Sequence, residues 1–509
     1  MSDTAKLEND VRGLVKEGRL RDAAVVCDQL NREFPDYDAG WFTTSQLALL
    51  LNEPRLALEA INQALHLAPG KPEWVLHQIE CLGAMGESGT AAALAQQLAT
   101  HRFDTAELAA RFGLALTKLG LFELALSQYE RACELEPNNS KHHIELASAW
   151  RYLGNLDKAE AVLEACIRMN PHDSNLHLHR AGLNTQTREA NHIADLEAAY
   201  SRSPDDPVGR VRLCFALAKE LEDIGEYERS FEYLTEGCEL HRQRLGYNTA
   251  ADLDALHAVR ENYGPEIFDG SIEGHISAEP IFVFGMPRSG ITLVERILVR
   301  HPAVQFAGEL RNFSYELIKH TQRVSGGATQ TPPEMVARSK EIDFVALGQD
   351  YIDGTRPATG LKAHFVDKQS LNFQYAGLMH LALPKAKLVV LRRDPMDNCY
   401  ALLKALFEDR FAFSYDLAEL ANFYVAHSEL IDHWQSVMPD VMHVIRYEEL
   451  ISDPRPVIEG LLGFCSLSLD EECLQFETDR IDTIGMWRNF SRQLQPMAAI
   501  FEAAGVRFT

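Results

Sequence analysis

The stretch Gly120–Pro171, GLFELALSQYERACELEPNNSKHHIELASAWRYLGNLDKAEAVLEACIRMNP, repeats its own punctuation. Gly120 returns as Gly154, Ala125 as Ala159 and Pro137 as Pro171, each 34 residues on. Upstream the same three registers give Gly18, Asn52 and Gly86; Ala23, Ala57 and Ala91; and Pro35 and Pro69, with Phe103 in the one vacant slot. Each register has a physical role in a helical hairpin. Glycine or asparagine makes the tight turn, alanine lets the second helix approach closely, and proline cannot donate the hydrogen bond that would prolong that helix. Apolar residues at three- and four-residue spacing within LFELALSQYERACELEP and NLDKAEAVLEACIRMNP predict amphipathic helices.

Repeat length, turn glycine, small residue and closing proline resemble the tetratricopeptide repeat family over residues 4–173. A degenerate unit is expected at 174–207, and GEYERSFEYLTEGCEL, with Gly225 at the turn, resembles a further unit out of phase. The expectation is an all-α superhelix of five to seven units over 1–245, followed by a linker at 246–277. Such arrays commonly present a concave groove, and a peptide or protein segment is the expected partner; a scaffold that only caps or dimerises its neighbour is the alternative.

Composition narrows the function classes. Apolar residues are 46% and charged residues 24% of the 509, the balance of a globular chain. The 49 Lys and Arg against 74 Asp and Glu give a net charge of −25, which disfavours nucleic acid and anionic membranes as partners except at local basic pockets. Nine cysteines without a CxxC pair suggest neither a zinc framework nor a disulfide scaffold. The N-terminus lacks a signal peptide's apolar segment and no run of about 18 apolar residues occurs, so a cytoplasmic protein is expected. The oligomeric state stays open.

From about residue 275 the pattern changes. PIFVFG reads as a buried strand, MPRSG as a turn and ITLVERILVRHP as a helix closed by proline. KLVVLRRDP has the same form, with Asp394 as N-cap and Pro395 at the first helical position. Strands alternating with helices predict a parallel α/β sheet over 278–509. The run Gly285-Met286-Pro287-Arg288-Ser289-Gly290-Ile291-Thr292 has the glycine spacing of a phosphate-cradling P-loop, but Ile291 stands where lysine contacts β/γ-phosphates. A nucleoside-triphosphate hydrolase is therefore a poor fit. Arg288, with its planar fork of donors, suits a tetrahedral oxyanion; a purely structural turn is the alternative.

PxFVxGxPRSGxTLVExIL…HP resembles the sulfotransferase superfamily, most closely its tyrosylprotein sulfotransferase-like branch, which in bacteria is often fused to tetratricopeptide repeats. The resemblance spans about 278–475 and implies a P-loop-like α/β sulfotransferase domain with 3′-phosphoadenylyl sulfate as donor and no metal. By residue, it implies Arg288, Ser289, Gly290, Ile291 (through its backbone) and Thr292 around the donor's 5′-phosphosulfate. Glu309 in FAGELRNF is the implied general base and Lys368 in FVDKQSLNF the group at the bridging oxygen. Arg393 is placed at the 3′-phosphate, Tyr447 near the adenine, and Arg488 with Trp487 in the closing GxWR segment. Ala401 stands where the family has a serine on the 3′-phosphate, and the loop before TIGMWRNF is short.

His301 and His364 are expected to be structural, since Glu309 lies in the better-matched motif. Together these features predict a sulfotransferase acting on an acceptor hydroxyl, with peptide tyrosine, glycan and small molecule all open as acceptors. A non-catalytic interaction protein with a degenerate nucleotide fold is the alternative, motivated by Ile291, Ala401 and the short loop.

Overall fold

The computed structural model describes residues 3–51, 53–85, 87–203, 205–326, 331–360, 362–475 and 484–509. Its contacts divide the chain into two units, 1–184 with 356–360, and 185–355 with 361–509.

The first unit is a series of helical hairpins, among them Ala106–Lys118 with Phe122–Leu135 and Ser140–Tyr152 with Leu156–Met169. The alanines of the 34-residue register, Ala23, Ala57, Ala91, Ala125 and Ala159, are all fully buried, as close helix approach requires. The turn glycines act differently. Gly18, Gly120 and Gly154 have φ of +74°, +74° and +73°, and a Cβ there would meet nothing within 4 Å; glycine is selected for its backbone freedom. The expected turn residues Asn52 and Gly86 lie outside the described residues.

The second unit begins 60 residues before the expected boundary at 245. Its first long hairpin, Pro207–Asp223 with Tyr227–Leu245, keeps the repeat's chemistry: Gly225 has φ +79°, and buried Ser230, five residues on, donates to the Ala218 carbonyl. The hairpin packs within this unit. Phe490 rests on Tyr227 and Phe231, and Arg242 makes two 2.7 Å bonds to Glu419. The expected linker at 246–277 carries the helix Thr249–Asn262. Leu256, Val259 and Tyr263 bury it, and the His275 amide bonds the Ala382 carbonyl at 2.8 Å.

Five strands follow: β1 Pro280–Gly285, β2 Val304–Gly308, β3 His364–Lys368, β4 Lys387–Arg392 and β5 Met442–Arg446. They pair in parallel in the order β2-β3-β1-β4-β5. The central β1 is buried throughout, as expected for a strand covered on both faces. The predicted cap holds: Asp394 Oδ1 accepts from the Met396 and Asp397 amides at 3.0 and 3.1 Å, starting the helix Pro395–Leu403.

Candidate active site

Parallel strands end at one edge, and ligands of open α/β sheets bind outside those ends, where strand order reverses. Here the chain leaves β1 into the turn 286–290, β2 into Glu309, β3 at its last residue Lys368, β4 into Arg393 and β5 into Tyr447. All five exits line one cavity of about 490 Å³. Its wall carries the cations Arg288, Arg296, Lys368, Arg393, Lys404 and Arg410 against the carboxylates Glu309 and Asp397, a local positive excess on a chain of net charge −25.

The turn after β1 needs both its glycines. A Cβ on Gly285 would lie 2.4 Å from the Leu391 carbonyl of β4, and one on Gly290 would lie 2.6 Å from the Tyr447 ring. Gly290 has φ +104° and Arg288 φ +66°; for the arginine this left-handed backbone costs about 1–2 kcal/mol. Side chains tie the turn in place, the Asn398 amide donating to the Pro287 carbonyl at 2.8 Å and Arg393 to the Arg288 carbonyl at 3.0 Å. The helix Ile291–Val299 starts from this turn, and the N–H groups of a first helical turn have no intrahelical acceptor, which suits an anion. Arg288, Gly290, Ile291 and Thr292 line the cavity. Ser289 does not; it is buried, its Oγ without a hydrogen-bond partner among the described residues.

Across the cavity, Lys368 Nζ lies 3.2 Å from Glu309 Oε1 and 3.6 Å from Glu295 Oε2, while Arg410 reaches Glu309 Oε2 at 3.3 Å. Burial works to raise the Glu309 carboxyl, but Lys368 and Arg410 outweigh it and hold it below the ordinary glutamate value. Glu295 is buried more deeply, and burial pushes its carboxyl up despite Lys368. Beneath Lys368, Asp367 is fully buried and accepts from the Tyr351 hydroxyl at 2.8 Å; burial raises its carboxyl to about 7.

At the other wall the Arg393 guanidinium lies 4.7 Å over the Tyr447 ring, and its carbonyl accepts from the Tyr424 hydroxyl at 2.9 Å. Ala401 lines the cavity without offering a hydroxyl, and Lys404, one helical turn on, lines it too. Lys404 Nζ is held at 2.6 Å by Glu222 Oε1, whose carboxylate also accepts from the Tyr400 hydroxyl. Glu222 belongs to the helix Pro207–Asp223, so a hairpin expected in the repeat array braces the wall of this cavity. Asp397 Oδ2 accepts from the Gly485 amide at 2.6 Å, which brings Met486 to the cavity. Arg488 is exposed, beside Trp487, and does not line it. The shortened loop before it falls at 476–483, outside the described residues.

His301 and His364 do not line the cavity; His301 is buried and caps the Ala303 amide, and His364 bonds the Ala278 carbonyl. Glu316, His320 and Asp350 gather ligand atoms within 4.8 Å of one another, but Lys319 and Arg323 already approach these acids. Sequence reasoning missed Arg410, Lys404 and Glu295. Only Glu295 had a signal, as the one acid on the apolar face of ITLVERILV, shared with Ile291, Val294 and Leu298.

Comparison with known proteins agrees with this architecture. Residues 280–471 match the sulfotransferase family, and 106–139 and 143–173 match the tetratricopeptide repeat. The chain thus carries tetratricopeptide repeats followed by a sulfotransferase-family domain. An uncharacterized protein of Aquifex aeolicus (strain VF5) is 26% identical over 380 residues, 70% of this chain and 50% of that protein, so the match spans half of the relative's length. Among solved structures, the sulfotransferase domain of the Synechococcus PCC 7002 olefin synthase is 18% identical (TM-score 0.32), covering 46% of this chain and 96% of that one. MamA from Desulfovibrio magneticus RS-1 is 16% identical (TM-score 0.29), covering 34% and 98%. Among the described residues no helix is long and apolar enough to cross a membrane.

Proposed function

We propose that the second unit transfers a sulfuryl group from 3′-phosphoadenylyl sulfate to an acceptor hydroxyl. The supporting observation is the convergence of all five strand exits on one cavity with six cations, a glycine turn and a single exposed carboxylate, Glu309. The site fits a polyanionic nucleotide: the close approach at Gly290 leaves no room for a Cβ, and the carbonyls of Pro287 and Arg288 are already engaged by side-chain donors.

The donor supplies an activated sulfur: its bond to the bridging phosphate oxygen breaks as the acceptor oxygen bonds to sulfur, and adenosine 3′,5′-bisphosphate leaves. Glu309 takes the acceptor's proton. Lys368 and Arg288 offset the charge that grows on the leaving phosphate. Arg393 grips the 3′-phosphate, Tyr447 lies near the adenine, and the backbone from Ser289 to Thr292 holds the phosphosulfate; Arg488, outside the cavity, has no part in this reading. Once Lys368 is drawn toward the donor, Glu309 loses part of the field that depresses its pKa and becomes the stronger base. The acceptor class we favour is a peptide tyrosine on a segment captured by the repeats.

Calorimetric titration of the full chain with adenosine 3′,5′-bisphosphate, with and without magnesium, tests the donor. Binding unaffected by magnesium and weakened by Arg393→Ala is expected; no heat and no thermal shift would refute it. Labelled donor offered with a lysate then identifies the acceptor, and label on glycan instead of protein tyrosine would overturn the peptide assignment.

A further inference from the structure

One ammonium is shared by two carboxylates in opposite environments. The Glu309 side chain is 44% exposed, whereas that of Glu295 is 4% exposed. Glu295 Oε1 is buried with no hydrogen-bond partner, and Lys368 is its one ion-pair partner among the described residues. An acid at a buried position of an apolar helix is costly unless its charge is compensated. Four groups form its charged surroundings: Lys368 and Asp367 from β3, Glu309 from the end of β2, and Arg296 beside it on its own helix. Asp367 is already engaged by the Tyr351 hydroxyl.

We infer that Glu295 is a positioning residue for Lys368, holding its ammonium beside the turn 286–290 when Glu309 gives up its share of the ion pair. The inference rests on the sulfuryl-transfer assignment for its purpose and on the geometry alone for its existence. In transfer, Glu309 becomes neutral as it takes the acceptor's proton. With Glu309 as sole partner, Lys368 would lose its anchor at the moment its charge is needed. Glu295 stays ionised and keeps it in place.

The consequence is measurable without an acceptor. Adenosine 3′,5′-bisphosphate draws the Lys368 charge away from Glu309, whose carboxyl becomes more basic, so the protein takes up protons on binding at acid pH while Glu295 stays ionised. Calorimetry in buffers of different ionisation enthalpy reads that uptake. Relative to the wild type, Glu295→Gln should bind the bisphosphate about tenfold more weakly because Lys368 is no longer held beside the turn, while the uptake at Glu309 persists; Glu295→Asp should largely restore the affinity. Unchanged affinity in Glu295→Gln, or equal loss in Glu295→Asp, overturns the inference.

A ligand-free arm separates this outcome from failure of the donor assignment. Glu295→Gln and Lys368→Met, combined in the full chain, should lower the thermal midpoint by less than the sum of the single changes; additivity overturns the inference. If the bisphosphate does not bind the wild type, sulfuryl transfer is refuted and this cycle still decides Glu295. Should Glu295→Gln not fold, Lys368→Met alone is informative. Its midpoint should fall at neutral pH and recover as the pH drops and Glu295 protonates, and a pH-independent loss refutes the pairing.

Discussion

Replacing Gly290 by alanine adds one methyl group at the place where three parts of the site meet. The new Cβ would lie 2.6 Å from Tyr447 Cδ2 and 3.0 Å from Cε2, where ordinary contact begins at 3.4 Å, so the ring must withdraw by about 0.8 Å. Tyr447 is only 7% exposed and carries the Arg393 guanidinium over its face, and that guanidinium in turn holds the Arg288 carbonyl. The methyl group therefore disturbs the turn, the aromatic platform and the buried arginine together. The backbone adds its own cost, about 1–2 kcal/mol for a left-handed alanine, and overpacking adds about 1–3 kcal/mol. If half of that reaches the bound state, affinity for adenosine 3′,5′-bisphosphate falls about 5- to 70-fold. Gly120→Ala is the matched control: φ is +74° and nothing lies within 4 Å of its Cβ, so it bears the backbone cost alone, in the other unit. Titration calorimetry of both variants decides the matter. Equal affinities in Gly290→Ala and Gly120→Ala would show that the turn does not contact the nucleotide.

Glu309→Gln should bind the bisphosphate with wild-type affinity yet lose transfer by at least about 100-fold, as removal of a general base does; normal turnover of labelled donor would disprove its role. Because Lys368 and Arg410 hold Glu309 of the free protein below the ordinary glutamate value, kcat/KM for the donor, which reports the free enzyme, should have no acid limb between pH 5 and 7, and a limb near pH 6 would point to another base. Glu222→Gln should loosen Lys404 and Tyr400 and weaken the bisphosphate more than adenosine 5′-phosphate; equal loss for both would mean a purely structural effect. Asp367→Asn should change the pH dependence of stability. Burial raises the folded carboxyl to about 7 against about 3.9 unfolded, so between those values the folded state keeps a proton that the unfolded chain has released, and stability falls as pH rises through that window. The variant should show a flatter thermal midpoint from pH 4 to 7, and an unchanged slope would contradict the assignment.

Much was legible in the chain because local rules carry it. The 34-residue spacing gave the hairpins, since left-handed glycines, close-packing alanines and terminating prolines act within a few residues of themselves. The motif around Arg288 gave the turn, and Asp394 with Pro395 gave the next helix start. Arg288, Thr292, Glu309, Lys368, Arg393 and Tyr447, read from separate motifs, do line one cavity. Arg488 and the Ser289 side chain do not, because exposure and side-chain direction depend on neighbours that a motif does not specify.

Only the tertiary structure could show what lies between the motifs. Parallel register brings residues 285, 309, 368, 393 and 447 to one edge, and no local pattern records register across paired residues as far apart as Ile281 and Lys387. Glu222 is 182 residues from the lysine it holds, and its helix has a repeat's periodicity while packing with the α/β sheet's unit. Periodicity specifies which face of a helix is apolar. What that face meets is decided by long-range packing, and here it meets the wall of the candidate active site.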